Sequence, residues 1–348
     1  MNWETLPDLA SRHLGGGVVA ASDEFFAVAD NLVTAQPPTF TPRDFGPKGQ
    51  VYDGWETRRR REPGYDEAVV RLGVPGVVRG VVVDTAYFTG NYPPHASLDG
   101  CGAEGYPSPG ELIGWIPLVP RSPLRGDDRN LFPVEVAHRF THVRLRIYPD
   151  GGVARLRVHG EVVADPRFLH GNRVDLAALE HGGHVVACSD MFYGAPNNLI
   201  LPGLARVMGV GWETARRRDD GNDWVVVRLA AAGRIHVAEL DTSHFKGNAP
   251  AAATLRGADE RPGDLDDPGA WFDLLPKTRL QPDTRHRFRV TAARPATHVR
   301  LDIHPDGGMA RLRLLGEIEE SALAALHRSW LALLPPAQAA QVRAAEPD

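Results

Sequence analysis

Apolar and polar residues alternate with a period of two along much of this chain. Between His142 and Ile147, the apolar Val143, Leu145 and Ile147 alternate with His142, Arg144 and Arg146. That is the pattern of a strand with one buried face. The string "PDGG" follows, with Pro to preset φ, Asp to cap a turn and Gly to take positive φ. Alternation then resumes with Ala154, Leu156 and Val158 inward, so the pattern predicts a β-hairpin. "DEAVVRLG", "VVRGVVVDTAYF", "NDWVVVRLA" and "RIHVAELDTSHF" predict further short strands. Helical spacing is confined to the ends. "NWETLPDLASRHL" predicts a short helix, and residues 319–334 carry apolar positions three and four apart and stop before Pro335-Pro336. Strand-dominated segments joined by polar loops predict an all-β fold of jelly-roll β-sandwiches with short terminal helices.

The pattern is written twice. "HVRLRIYPDGGVARLRVHGE" starts at His142 and "HVRLDIHPDGGMARLRLLGE" at His298. They differ only at Arg146/Asp302, Tyr148/His304, Val153/Met309, Val158/Leu314 and His159/Leu315. "GWETRRRR" from Gly54 returns as "GWETARRR" from Gly211, and "DTAYFTGN" from Asp84 as "DTSHFKGN" from Asp241. Ser22-Asp23 returns as Ser189-Asp190. A two-copy repeat of this length is a domain duplication rather than a solenoid. The expected organisation is an N-terminal segment (1–16), repeat 1 (17–165), a linker (166–180), repeat 2 (181–318) and a C-terminal helix and tail (319–348).

Composition narrows the function classes. A net charge of −5 over 348 residues does not invite nucleic acid or an anionic membrane. No apolar run approaches the roughly 18 residues of a membrane helix. The N-terminus is acidic where a signal peptide is basic, and two cysteines make no disulfide framework. These features lead to the expectation of a cytoplasmic protein. "HLGGGVV" lacks the strand-then-helix setting of a phosphate loop, and no G-x-S-x-G marks a serine elbow. The spacings His181/His184 and His138/His142 come with no neighbouring carboxylate motif or cysteine pair, which leaves zinc without support.

Three sets of polar residues carry candidate chemistry. The "SD" loops, with Asp23 and Asn31, have the oxygens to hold a cation or equally to fix an Asx-type turn. The "GWET" loops hold Trp55, Glu56, Arg59 and Arg60 in the first copy and Trp212, Glu213, Arg216 and Arg217 in the second. Each guanidinium offers a planar fork for a carboxylate, or a structural ion pair. The "DT" loops supply Asp84 and Asn91, or Asp241 and Asn248. Here the copies diverge: Tyr87 becomes His244, Thr89 becomes Lys246, and Tyr148 becomes His304. Histidine and lysine serve general acid–base work near neutrality, so the second copy is expected to move protons and the first to provide scaffold.

Taken together, "SDEFF", "DGWETRRRR", "DTAYFTGN" and "THVRLRIYPDGG", with their second-copy versions, resemble the allantoicase family across residues 15–318. The resemblance implies a tandem pair of galactose-binding-like jelly rolls. It implies hydrolysis of allantoate to ureidoglycolate and urea in purine degradation, and an association with divalent manganese for which the sequence shows no compelling ligand set. The reaction breaks an aminal C–N bond at the carbon bearing the carboxylate. It calls for an Arg clamp, a general acid and a general base. Asp241, His244, Lys246, Glu213 and His304 are the catalytic candidates. Arg59, Arg60, Arg216, Arg217, Asp84, Asn91, Asn248, Trp55, Glu56 and Trp212 are the candidates for binding substrate. The expected partners are allantoate and further copies of the chain. A non-catalytic ligand- or carbohydrate-binding jelly-roll protein is the alternative, since fold does not fix function.

Overall fold

One strand in each half organises the fold. Residues Asp66–Asp84 run as a single strand of 19 residues, and Asp223–Asp241 do the same in the second half. In this computed structural model, which describes residues 2–261 and 265–345, both belong to antiparallel sheets. The first half of Asp66–Asp84 pairs with Gly17–Ala21 on one side and Arg139–Tyr148 on the other. His95–Cys101 and Ile116–Pro123 extend that sheet. Beyond a register shift between Arg71 and Gly76, the strand keeps only Phe140 and Arg139 of that partner and pairs with Arg155–Val162 and Arg129–Pro133. The long strand thus passes from one face of a sandwich to the other, as strands do at sandwich corners. Its second-half counterpart repeats the arrangement, with a shift between Arg228 and Gly233. Each half is an antiparallel jelly-roll sandwich.

The expected alternation holds where it was clearest. Val143, Leu145, Ile147, Ala154, Leu156 and Val158 are all fully buried, as are Val299, Leu301, Ile303, Ala310, Leu312 and Leu314. Arg155 and Arg311 are buried as well, at polar positions of the pattern. Both donate to backbone carbonyls, Arg155 to Gln36, Asp53 and Ala154, and Arg311 to Gly203, Val210 and Ala310. Buried guanidinium groups persist only when so satisfied.

The expected hairpin is not one. Arg139–Tyr148 and Arg155–Val162 each pair with the long strand, on its different halves, and not with each other. The "PDGG" segment is an arch between the two sheets. Gly152–Val153 within it pairs with Trp55–Glu56. Gly151 takes φ +140°, and a Cβ there would lie 2.7 Å from the backbone oxygen of Asn91. Only glycine meets both demands.

Two compact units result, Met1–Val163 with Trp330–Asp348, and Ala164–Ser329. The boundaries differ from expectation at three points. Residues before 17 belong to unit 1: Leu9 is fully buried, and Asp8 forms a bridge with His159. They form two 3₁₀ turns, Trp3–Thr5 and Arg12–Leu14, rather than one helix. Much of the expected linker is structure in unit 2, since Val174–Asp175 pairs with Arg311–Ile318. At the C-terminus, helix Glu320–Leu333 is followed by a second helix, Pro336–Ala345, which starts on a proline at its first turn, where the missing N–H costs nothing.

Candidate active site

All the repeated motifs of a unit meet at one end of its sandwich. In unit 1, the indole of Trp55 donates to the Asp23 carbonyl at 2.7 Å. Glu56 pairs with Ala27 across a bridge, and Thr57 donates its backbone N–H to Gly151. The Asn91 amide donates to Glu56 Oε1 at 2.7 Å, and its carbonyl accepts from Gly152. Ala154 donates to the Asp84 carbonyl. Unit 2 repeats these contacts. Trp212 donates to Asp190, Thr214 to Gly307, Asn248 to Glu213 at 2.5 Å, and Ala310 to Asp241. The shared sequence therefore encodes the wiring of a loop end. Buried polar groups must find such partners or cost stability.

That wiring reassigns several candidates. Trp55 and Trp212 are fully buried and out of reach of a ligand, so their expected binding role is corrected to a core role. Arg60 and Arg217 are also corrected. Each donates Nη1 to a buried aspartate, Asp66 or Asp223, at 2.9 Å, and its backbone N–H to Asp150 or Asp306. Hydrogen bonds from Arg217 to Asp219 and Asp223 raise its pKa further. Asp84 and Asp241 are buried, and each accepts from the backbone N–H two residues on, closing a turn. Arg59 and Arg216 are exposed, with no ion pair among the described residues.

The second-copy acid–base group is not assembled. No hydrogen bond or ion pair among the described residues joins Asp241, His244, Lys246 and His304 to one another. His244 is exposed at φ +72°, and Tyr87 holds the same backbone at φ +68°. The His244 ring lies 3.0 Å from the Ala205 carbonyl through Nε2, which makes that nitrogen the protonated one. Lys246 is largely solvated, 3.9 Å from Asp283. His304 Nε2 meets Thr254 Oγ1 at 3.1 Å, just as Tyr148 meets Ser97 at 3.0 Å, so this exchange preserves a cross-strand contact. Burial lowers the His304 pKa, aided by Lys277.

Glu56 stands out electrostatically. It is half-buried, and burial raises its carboxyl pKa despite the opposing hydrogen bond from Asn91. A half-buried acid held at one oxygen is suited to giving a proton. In the same unit, an open cleft of about 390 Å³ is lined by Ser22, Asp23, the run Arg58–Glu62 and Asp66. Arg58 was not among the sequence candidates, although the gapless alignment shows it as the one arginine of the run that the second copy replaces, with Ala215.

The "SD" loop does not fit a cation. The Asp23 carboxylate accepts from the backbone of Phe25 and Arg58 and from the Arg58 guanidinium at 2.7–2.8 Å, and these bonds lower its pKa against the effect of burial. Asn31 turns its amide N–H to the Gly54 carbonyl. A guanidinium stands where a metal would need the oxygens, and among the described residues no group of three or more His, Cys, Asp or Glu could hold a metal. The loop is the Asx-type turn.

Two tandem jelly-roll sandwiches, each ending in the same wired loop, define a protein of two duplicated domains. Residues 7–163 and 174–319 match the model of the allantoicase repeat. A probable allantoicase of Nocardia farcinica is 59% identical over 318 residues, covering 90% of this chain and 94% of that protein. One from Pseudomonas aeruginosa is 47% identical, covering 89% and 95%. The crystal structure of allantoicase from Saccharomyces cerevisiae superposes with a TM-score of 0.76 at 35% identity, covering 90% and 94%. The chain belongs to the allantoicase family.

Proposed function

We propose that this chain hydrolyses allantoate to ureidoglycolate and urea. The family match carries the reading, because it spans both repeats and every loop of the wired end. In the reaction, the bond between the α-carbon and one ureido nitrogen breaks. Water supplies the new C–O bond, one of its protons is released, and the departing nitrogen gains a proton to leave as urea. Protonation of that nitrogen and binding of the carboxylate are the two tasks for side chains. Exposed guanidinium groups suit the carboxylate. Glu56, two residues before the arginine run and with a raised pKa, is our candidate proton donor.

The enzyme is further taken to work in the cytoplasm as a homo-oligomer. Unpaired Cys101 and Cys188 suit a reducing compartment. Exposed Met191, Phe192, Tyr193, Leu204 and Val207 on unit 2 are apolar surface of the kind that oligomers cover. Among the described residues no helix is long and apolar enough to cross a membrane.

The test is urea release from allantoate by the purified protein, with ureidoglycolate formed in equal amount. Release no faster than in a protein-free blank would leave the ligand-binding alternative in its place.

A further inference from the structure

The two arginine loops align without a gap from Gly54 to Asp66 and from Gly211 to Asp223, yet their charges differ. In unit 1, Arg58, Arg59, Arg60 and Arg61 face the three acids Asp23, Glu62 and Asp66. In unit 2, three arginines, Arg216–Arg218, stand with the four acids Asp190, Asp219, Asp220 and Asp223. With Glu56 and Glu213 of the same stretches counted, four arginines meet four acids in unit 1 and three meet five in unit 2, so unit 2 is the more negative by two charges. The use of the acids differs as well. Asp219 grips Arg217 through both its oxygens, at 2.9 and 3.0 Å, and accepts from the Gly221 backbone. Glu62, at the matched place in unit 1, is exposed and forms no ion pair with Arg60. Unit 1 also brings Lys48, on a longer loop, to 4.9 Å from the Phe25 ring, with Arg58 5.1 Å from the same ring. At the matched position of unit 2, Phe192 is exposed and its ring contact is Tyr193.

We infer that the cleft of unit 1 is the site that takes the substrate carboxylate, with Arg59 and Arg61 as its binding groups, and that the loop of unit 2, where acids outnumber arginines, is a structural copy that does not. This rests on the proposed hydrolysis of allantoate. Arg58 and Arg60 are held by Asp23 and Asp66, which leaves Arg59 and Arg61 as the exposed guanidinium groups lining the cleft with no partner among the described residues. The lining of the unit 1 cleft, four arginines to three acids, attracts a carboxylate, whereas the loop of unit 2, three arginines to five acids, repels it. The expectation that chemistry sits in the second copy is thereby reversed.

The experiment compares wild type, the double variant Arg59→Ala/Arg61→Ala and the unit 2 variant Arg218→Ala. All three residues are exposed, and thermal melts are expected to coincide. In the urea-release assay the double variant is expected to raise KM for allantoate roughly tenfold or more, the usual scale for losing charge-assisted hydrogen bonds. Arg218→Ala is expected to stay within about twofold of wild type. An unchanged KM in the double variant, or an equal rise in Arg218→Ala, would overturn the assignment. Calorimetric titration of allantoate into the same proteins separates the two readings. If wild type releases no urea but binds allantoate, and the double variant does not, the cleft stands and hydrolysis falls. If wild type binds none at millimolar allantoate, the cleft falls as well.

Discussion

The Arg146 guanidinium reaches Asp99 on the adjacent strand at 2.9 Å. At the matched positions of unit 2 the charges are exchanged: Asp302 stands for Arg146, Arg256 stands for Asp99, and the pair closes at 3.2 Å. A third residue explains how both polarities fit. Arg144 bonds Asp99 at 3.0 Å, and its counterpart Arg300 bonds Asp302 at 3.0 Å. A guanidinium beside the pair serves an acid on either strand. A difference between copies that looks like drift at one position is therefore a compensated exchange.

The exchange can be tested directly. Arg146→Asp alone puts an acid beside Asp99 and Glu67, and is expected to destabilise unit 1 by about 1–3 kcal/mol. That is below the 3–5 kcal/mol of a fully buried pair, because Arg146 is partly exposed. Adding Asp99→Arg recreates the unit 2 arrangement and should recover most of the loss. Urea denaturation of both single variants, Arg146→Asp and Asp99→Arg, and of the double gives the coupling, and simple additivity would reject it.

Glu56→Gln removes the proton but keeps the shape and the Asn91 contact. We expect kcat to fall on the order of 100- to 10,000-fold with KM little changed, the range for losing a general acid. Because the acid form is the working one, wild-type kcat should decline as pH rises through the Glu56 pKa, which burial sets above the ordinary carboxyl value. The matched variant, Glu213→Gln, is the comparison. If it loses activity on that scale while Glu56→Gln does not, unit 2 holds the donor.

Gly151→Ala joins fold to site. The new Cβ would press on backbone around Asn91 at a φ that L residues rarely adopt. A loss of at least about 2 kcal/mol is expected in denaturant. Activity should fall beyond what the unfolded fraction explains, because Asn91 positions Glu56. Full specific activity in the folded fraction would separate the arch from the site.

What could be read from sequence follows the range of the interactions. Which face of a strand is buried is a local property, so Val143, Leu145 and Ile147 were legible. Which strand pairs with which is not. An alternating run, a turn string and a second alternating run look the same in a hairpin as in an arch between sheets. The arch is decided by Asp66–Asp84, some 70 residues upstream. The same holds for the site. The arginines were legible as a group, but Asp66 and Asp150, which take Arg60 out of use, sit six and 90 residues from it. Likewise, the gains of His244 and Lys246 suggested chemistry because sequence gives residue type without neighbours. Their actual neighbours are the Ala205 carbonyl and the Asp283 carboxylate, not each other.

His142 gives the molecule a built-in acid sensitivity. It is 4% exposed on the strand Arg139–Tyr148, with Nδ1 2.8 Å from Thr141 Oγ1. Burial, with the nearby Arg71, pushes its pKa down to about 4. In the unfolded chain a histidine titrates near 6.5. The unfolded state therefore binds the proton first as pH falls, and the native state holds the ring neutral. Stability is full above about pH 6.5, declines between 6.5 and 4, and changes no further below the folded value. The slope reaches at most about 1.4 kcal/mol per pH unit, for a loss of up to about 3 kcal/mol over the window. His298 is lowered by burial in the same way and adds to the effect through unit 2. The urea midpoint of wild type, followed from pH 8 to 4, should show this decline, and His142→Gln should flatten it whatever its own stability. A His142→Gln profile parallel to wild type would mean that the ring takes up its proton alike in the native and unfolded chain and that another group carries the acid sensitivity.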